Sequence, residues 1–154
     1  MSRIFVFLIL TIVFSCKPLS TTPGADGTYV RYFPNGKKSG ELLLYKDSDS
    51  TALVYMSLQR GAPSYNSGGL FERILWDSEG GWLEIRDDYM DCRLQFRLKG
   101  NTIDVSVANH ECGFGYGVSA EGTFVRVSSE RPEYFENREG SRIYFSEYGS
   151  GMND

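Results

Sequence analysis

The chain has one histidine, His110, and three cysteines in 154 residues. A lone imidazole leaves no second histidine to complete a zinc site. No Gly-x-Ser-x-Gly elbow marks a nucleophile, so a Ser–His–Asp arrangement has nothing in the sequence to point to it. Basic clusters are missing as well: 16 Lys and Arg are scattered among 20 Asp and Glu, for a formal net charge of −4. That removes the footprint expected of a nucleic-acid binder and of a basic membrane-surface patch. Calcium-loop spacing is absent around Asp87, Asp88 and Asp91, and around Asp47 and Asp49, which read as solvated turns. No metal or cofactor is expected, no internal repeat occurs, and the chain beyond residue 27 is almost empty of helical periodicity.

The start is of a different character. Arg3 precedes an apolar run, residues 4–14, that is too short to span a bilayer comfortably, and Ser15 is a small residue at a cleavage position. Residues 1–15 are read as a secretory signal peptide. Val13-Phe14-Ser15-Cys16 resembles the bacterial lipobox, with Phe14 where a small residue is usual; this makes Cys16 the lipidated new N-terminus. The expected address is the cell envelope, lipid-anchored, in the outer membrane if the cell is Gram-negative. Residues 16–27 carry Pro, Gly and Thr and read as a tether. Loss of residues 1–15 removes Arg3 and no acid, taking the formal charge from −4 to −5. Residues 28–128 are long enough for one domain with its own core, and residues 129–154 form a charged extension.

The mature domain is organised around residues 92–118. Apolar and polar residues alternate through 92–98 and again through 103–107, the period of strands with one buried face. Gly100-Asn101 between them is a two-residue hairpin loop of the primed type. Pairing outward sets Leu98 opposite Ile103, Phe96 opposite Val105 and Leu94 opposite Val107. It also brings Cys92 opposite Asn109, with Cys112 close behind. With Cys16 acylated, Cys92 and Cys112 remain as one pair, which in an exported protein points to a disulfide, two free thiols being the alternative.

Further strands are expected at 29–33, 41–45, 52–59, 70–76, 82–86 and 122–127, joined by turns rich in Gly, Asn, Asp and Ser. Eight antiparallel strands in sequence order predict an all-β meander barrel, lipocalin-like or lysozyme-inhibitor-like, with one disulfide; an open sandwich is the alternative. Residues 143–145 add a short strand or pack over the barrel end, with disorder as the alternative. Gly113, Gly115 and Gly117 lack the following helix of a phosphate loop and read as tight turns beside the disulfide. Trp76 and Trp82 flank a turn, where they either pack across strands or form a binding platform.

The longest loop of the first half, residues 61–69, is the candidate contact site. Ser64, Tyr65, Asn66 and Ser67 offer an aromatic surface and adaptable hydrogen bonds on a rigid scaffold. Two resemblances accompany these readings. Cys92, then Cys112-Gly113-Phe114-Gly115 with Gly117-Val118, then Glu121-Gly122-Thr123-Phe124, resembles a set of bacterial exported proteins with a Cys…CGFGxGV…DGxY tail; no activity comes with it. Ser67-Gly68, Phe71, Trp76, Leu83 and Ile85 are similar to the membrane-bound inhibitors of c-type lysozyme, small barrels that insert a loop into the enzyme's cleft. Gly69 and Leu70 stand where that family has a basic residue. The resemblance implies a non-enzymatic binding module, probing a protein such as lysozyme or an envelope component as a monomer. A carrier of a small apolar ligand is the second reading and an envelope hydrolase the third.

Overall fold

The computed structural model describes residues 24–149, and the expected signal peptide, the candidate lipidation residue Cys16 and the first part of the expected tether lie outside them. Eight strands follow one another around a closed antiparallel barrel: β1 (Gly27–Tyr32), β2 (Lys38–Lys46), β3 (Thr51–Gln59), β4 (Ser67–Trp76), β5 (Gly80–Arg86), β6 (Asp91–Lys99), β7 (Thr102–Glu111) and β8 (Gly122–Ser128). Thr28 opposite Ser128 and Val30 opposite Val125 close the ring.

The register of the central hairpin follows its apolar alternation. Leu98 faces Ile103, Phe96 faces Val105 and Leu94 faces Val107. Gly100 takes φ 58 while Asn101 stays at negative φ, the II′ form that matches strand twist. Beyond Leu94 the ladder shifts: Arg93 pairs with Asn109, leaving Ala108 as the extra residue of a bulge. Cys92 therefore stands opposite His110 rather than Asn109. The chain turns after β7, and Cys92 and Cys112 are joined in a disulfide with Cα atoms 4.5 Å apart.

Side chains of one parity from every strand fill the barrel. Tyr29, Leu42, Leu44, Val54, Met56, Leu58, Phe96, Ile103 and Phe124 are among those fully buried there. Trp76 belongs to this core, whereas Trp82 lies on the outer surface, half exposed, opposite Leu75.

At one end, Tyr29 donates from its hydroxyl to Ala25 O at 2.7 Å, and Arg126 donates to that hydroxyl at 2.9 Å while lying over the ring. Burial pushes the Tyr29 phenol up, partly offset by the bond and charge from Arg126. This end is where the described chain begins.

The charged extension lies along the outer wall rather than over a barrel end. β9 (Tyr134–Glu136) and β10 (Arg142–Tyr144) form a hairpin that leads into a 3₁₀ turn, Phe145–Glu147. Phe135 and Phe145 drop from it onto Leu43, Tyr45, Leu53, Tyr55 and Phe71, the outward residues of β2, β3 and β4. Tyr55 stacks on Phe135 at 4.0 Å between ring centroids, and Tyr45 on Phe145 at 5.4 Å. β3 is apolar on both faces because both are covered. Arg131 clamps the connecting segment, lying over Tyr45, donating to Lys46 O and pairing with Asp26.

Candidate functional site

Strand direction sorts the connections into two sets. The turns after β2, β4 and β6 lie at the end where residue 24 enters, which is the proximal end. The connections after β1, β3, β5 and β7 lie at the other, distal end. The candidate loop after β3 is one of the distal set.

Of its four candidate residues, Ser64 and Tyr65 are in the loop and exposed. Tyr65 is 75% exposed at φ 52, with its amide donating to Gly61 O at 2.8 Å. A non-glycine residue in that left-handed region costs about 1 kcal/mol, and here the backbone holds a bare aromatic ring in solvent. Asn66 Nδ2 donates to Tyr116 O at 2.7 Å, and its carbonyl accepts from Arg60 N at 2.9 Å. Asn66 thus ties the loop to the connection after β7. Ser67 opens β4 opposite Gln59, so it is a strand residue with an exposed side chain rather than part of the loop.

The connection after β7 is built to meet this loop. Gly113, Gly115 and Gly117 all have positive φ, and no helix follows them. Phe114 is buried in the barrel core and lies against Gly68; a Cβ on Gly68 would sit 2.2 Å from Phe114 O, so only glycine fits. Tyr116 stays 83% exposed under the Arg60 guanidinium, 5.3 Å from the ring centre. Tyr89, in the connection after β5, is 95% exposed. The acidic turn there is a backbone device: Asp87 Oδ1 accepts from Tyr89 N and Met90 N at 2.8 Å. Among the described residues no group of three or more His, Cys, Asp or Glu is placed to hold a metal ion.

Between the turn after β1 and the loop after β3 lies a cleft of about 460 Å³. Phe33, Lys37, Lys38, Gln59, Arg60 and Tyr65 are among its lining residues, and no acid is. Lys38 pairs with Glu41, and partial burial pushes its ammonium below the ordinary lysine range. None of the cleft residues except Tyr65 stood out in the sequence. Their signal was topological: in a meander, alternate connections share an end, so residues 33–37 and 60–66 must be neighbours.

Glu72 is the other polar feature. It follows the parity of Leu70 and Ile74 on β4, opposite Val54, and so shares the face that fills the barrel. The β4–β5 ladder holds only Leu75 to Trp82 and Trp76 to Gly81, leaving β4 unladdered on that side near Glu72. No hydrogen bond or ion pair reaches Glu72 among the described residues, and burial pushes its carboxyl above the ordinary range. The folded chain then holds this proton more tightly than the unfolded chain. Stability from this group is full below the ordinary Glu range and falls as pH rises through the raised value. Glu72→Gln should raise the urea midpoint at pH 7 and leave it nearly unchanged at pH 4; a lower midpoint at pH 7 would refute this account.

Comparison with family models, with curated proteins and with solved structures finds no match to this chain.

Proposed function

We propose that the chain is a non-enzymatic binding module of the bacterial cell envelope, held to the membrane by lipid on Cys16 and engaging its partner through the distal loops. The observation that supports this most is the contrast between the two ends. The chain enters at one, and Tyr65, Tyr89 and Tyr116 stand exposed at the other. Tyrosines on latched loops give contact area at little entropic cost. The filled interior favours this over the lipocalin-like carrier, which needs an open apolar cavity. The partner in this reading is a protein such as lysozyme, or an envelope component.

The experiment pairs two variants. Cys16→Ser should move the protein from the membrane fraction to the soluble fraction; retention on the membrane would remove the anchor. Tyr65→Ala with Ser67→Ala should weaken inhibition of a c-type lysozyme, or binding to a purified envelope component, by about 1 to 2 kcal/mol, the scale of a modest hot spot. The melting temperature should hardly move, because both side chains are exposed. Undiminished binding by a folded double variant would take the loop after β3 out of the contact.

A further inference from the structure

We propose that the distal cleft binds a small organic anion, a carboxylate or phosphate carried on a ring with an apolar face. This rests on the distal end being the binding end and names what it would take there.

The charge of the cleft runs against that of the molecule. The full chain carries −4, yet the lining holds Lys37, Lys38 and Arg60 and no Asp or Glu. Glu41 offsets Lys38 from outside the lining. Lys37 and Arg60 make no ion pair among the described residues, so two cations are left for a ligand. Arg60 is nonetheless positioned, because its guanidinium rests over Tyr116. Gln59 adds an amide with no hydrogen-bond partner among the described residues.

Phe33 and Tyr65 supply the apolar part of the wall. Both flanking turns are built without a ligand. Phe33 N donates to Lys37 O at 2.8 Å, and Asn35 Oδ1 accepts from Lys37 N at 3.1 Å. Across the cleft the Arg60–Asn66 and Tyr65–Gly61 bonds fix the second wall. A volume of about 460 Å³ suits one or two rings. Two aromatic residues select a flat face, and the cations select the charge.

The test is calorimetric titration of the full chain in detergent micelles. The probes are N-acetylmuramate and 2-naphthoate, each set against a neutral counterpart, N-acetylglucosamine and 2-naphthamide. At least one acid should bind about tenfold or more tightly than its counterpart, and added salt should weaken it. The tighter acid tells a sugar source from an aromatic one. Lys37→Glu with Arg60→Glu should abolish the preference for the acid, and Lys37→Arg with Arg60→Lys should keep it. Should the reversal variant not fold, Lys37→Gln with Arg60→Gln is read in its place.

The proposal is overturned if neither acid binds at millimolar concentration, if the neutral counterparts bind as well, or if a folded charge variant binds the acids undiminished. Failure here with partner binding still dependent on Tyr65 removes the anion and leaves the module. Anion binding with partner binding indifferent to Tyr65 does the reverse.

Discussion

Phe145→Ala should release the C-terminal segment from the barrel wall at a cost of about 3 to 5 kcal/mol, the range for truncating a buried phenylalanine. Phe145 is fully buried, stacked on Tyr45 and edge-on to Phe71 and Phe135. Its ring is half of the aromatic pair that the segment inserts, and the segment's two short strands pair only with each other. What remains without it is Phe135, Ile143, the Tyr148 ring edge-on to Phe71 and the Arg131 clamp. Arg73 donates to Tyr148 O, a bond that exists only while the segment is seated, whereas the bond from Phe145 N to Glu133 O at 3.0 Å lies within the segment and closes its hairpin. The barrel ladders do not involve residues beyond 128, so the loss is local at first. Limited proteolysis should cut the variant within residues 129–133 while the wild type resists, and hydrogen exchange in β6 and β7 should change little. Exposed Leu43, Leu53, Tyr55 and Phe71 should then make the variant self-associate. Unchanged protease resistance would show that the segment is held by something other than its rings.

Cys92→Ser with Cys112→Ser should lower stability by about 3 kcal/mol, the loop-closure value for a 20-residue separation. The effect should reach further than that figure. The disulfide pins the start of the connection that carries Phe114 into the core and Tyr116 to the surface. Without it, the connection after β7 is left with Phe114 in the core, the Asn66 to Tyr116 bond and the Arg60 contact on Tyr116 to hold it to the loop after β3. Urea unfolding with and without reductant measures the first part. Hydrogen exchange at Tyr65 and Asn66 measures the second, and faster exchange is expected on reduction. Matching midpoints for oxidised and reduced protein would sink the prediction.

The barrel was legible because its strands obey period two and its turns carry residues suited to tight geometry. In the central hairpin that reading reached individual partners. It went wrong by one residue at Cys92, because a bulge such as that at Ala108 leaves no mark in the alternation. The seating of the C-terminal segment was not legible from its own residues: Phe135 stands in a polar stretch, and Ile143 and Phe145, two apart, are too short a run to say what they cover. The indication lay in β3, where Leu53 and Tyr55 make the outward face apolar too, a pattern that demands a cover. The candidate loop was found by length and composition, but composition does not tell a displayed side chain from a latch. Tyr65 and Asn66 are adjacent and equally polar-looking, yet one stands in solvent and the other joins two loops.

Eight is an even number, and that alone settles where change can be accommodated. A meander of even count returns the chain to the side it left, so residue 24 and the end of β8 at Ser128 share one rim. Four of its seven connections therefore project the opposite way. Insertions into residues 60–66 or 87–90 would lengthen the molecule away from the rim where residue 24 enters, with no strand register disturbed. The same insertions at residues 47–50 or 77–79 would grow on the rim where residue 24 enters and crowd the entering chain. Sequence drift among descendants of this chain should therefore be lopsided, with length variation gathered on the distal rim and the proximal turns kept short. A laboratory graft would face the same asymmetry: a foreign peptide spliced between Gly61 and Asn66 would be carried outward on a scaffold that does not need that loop to close.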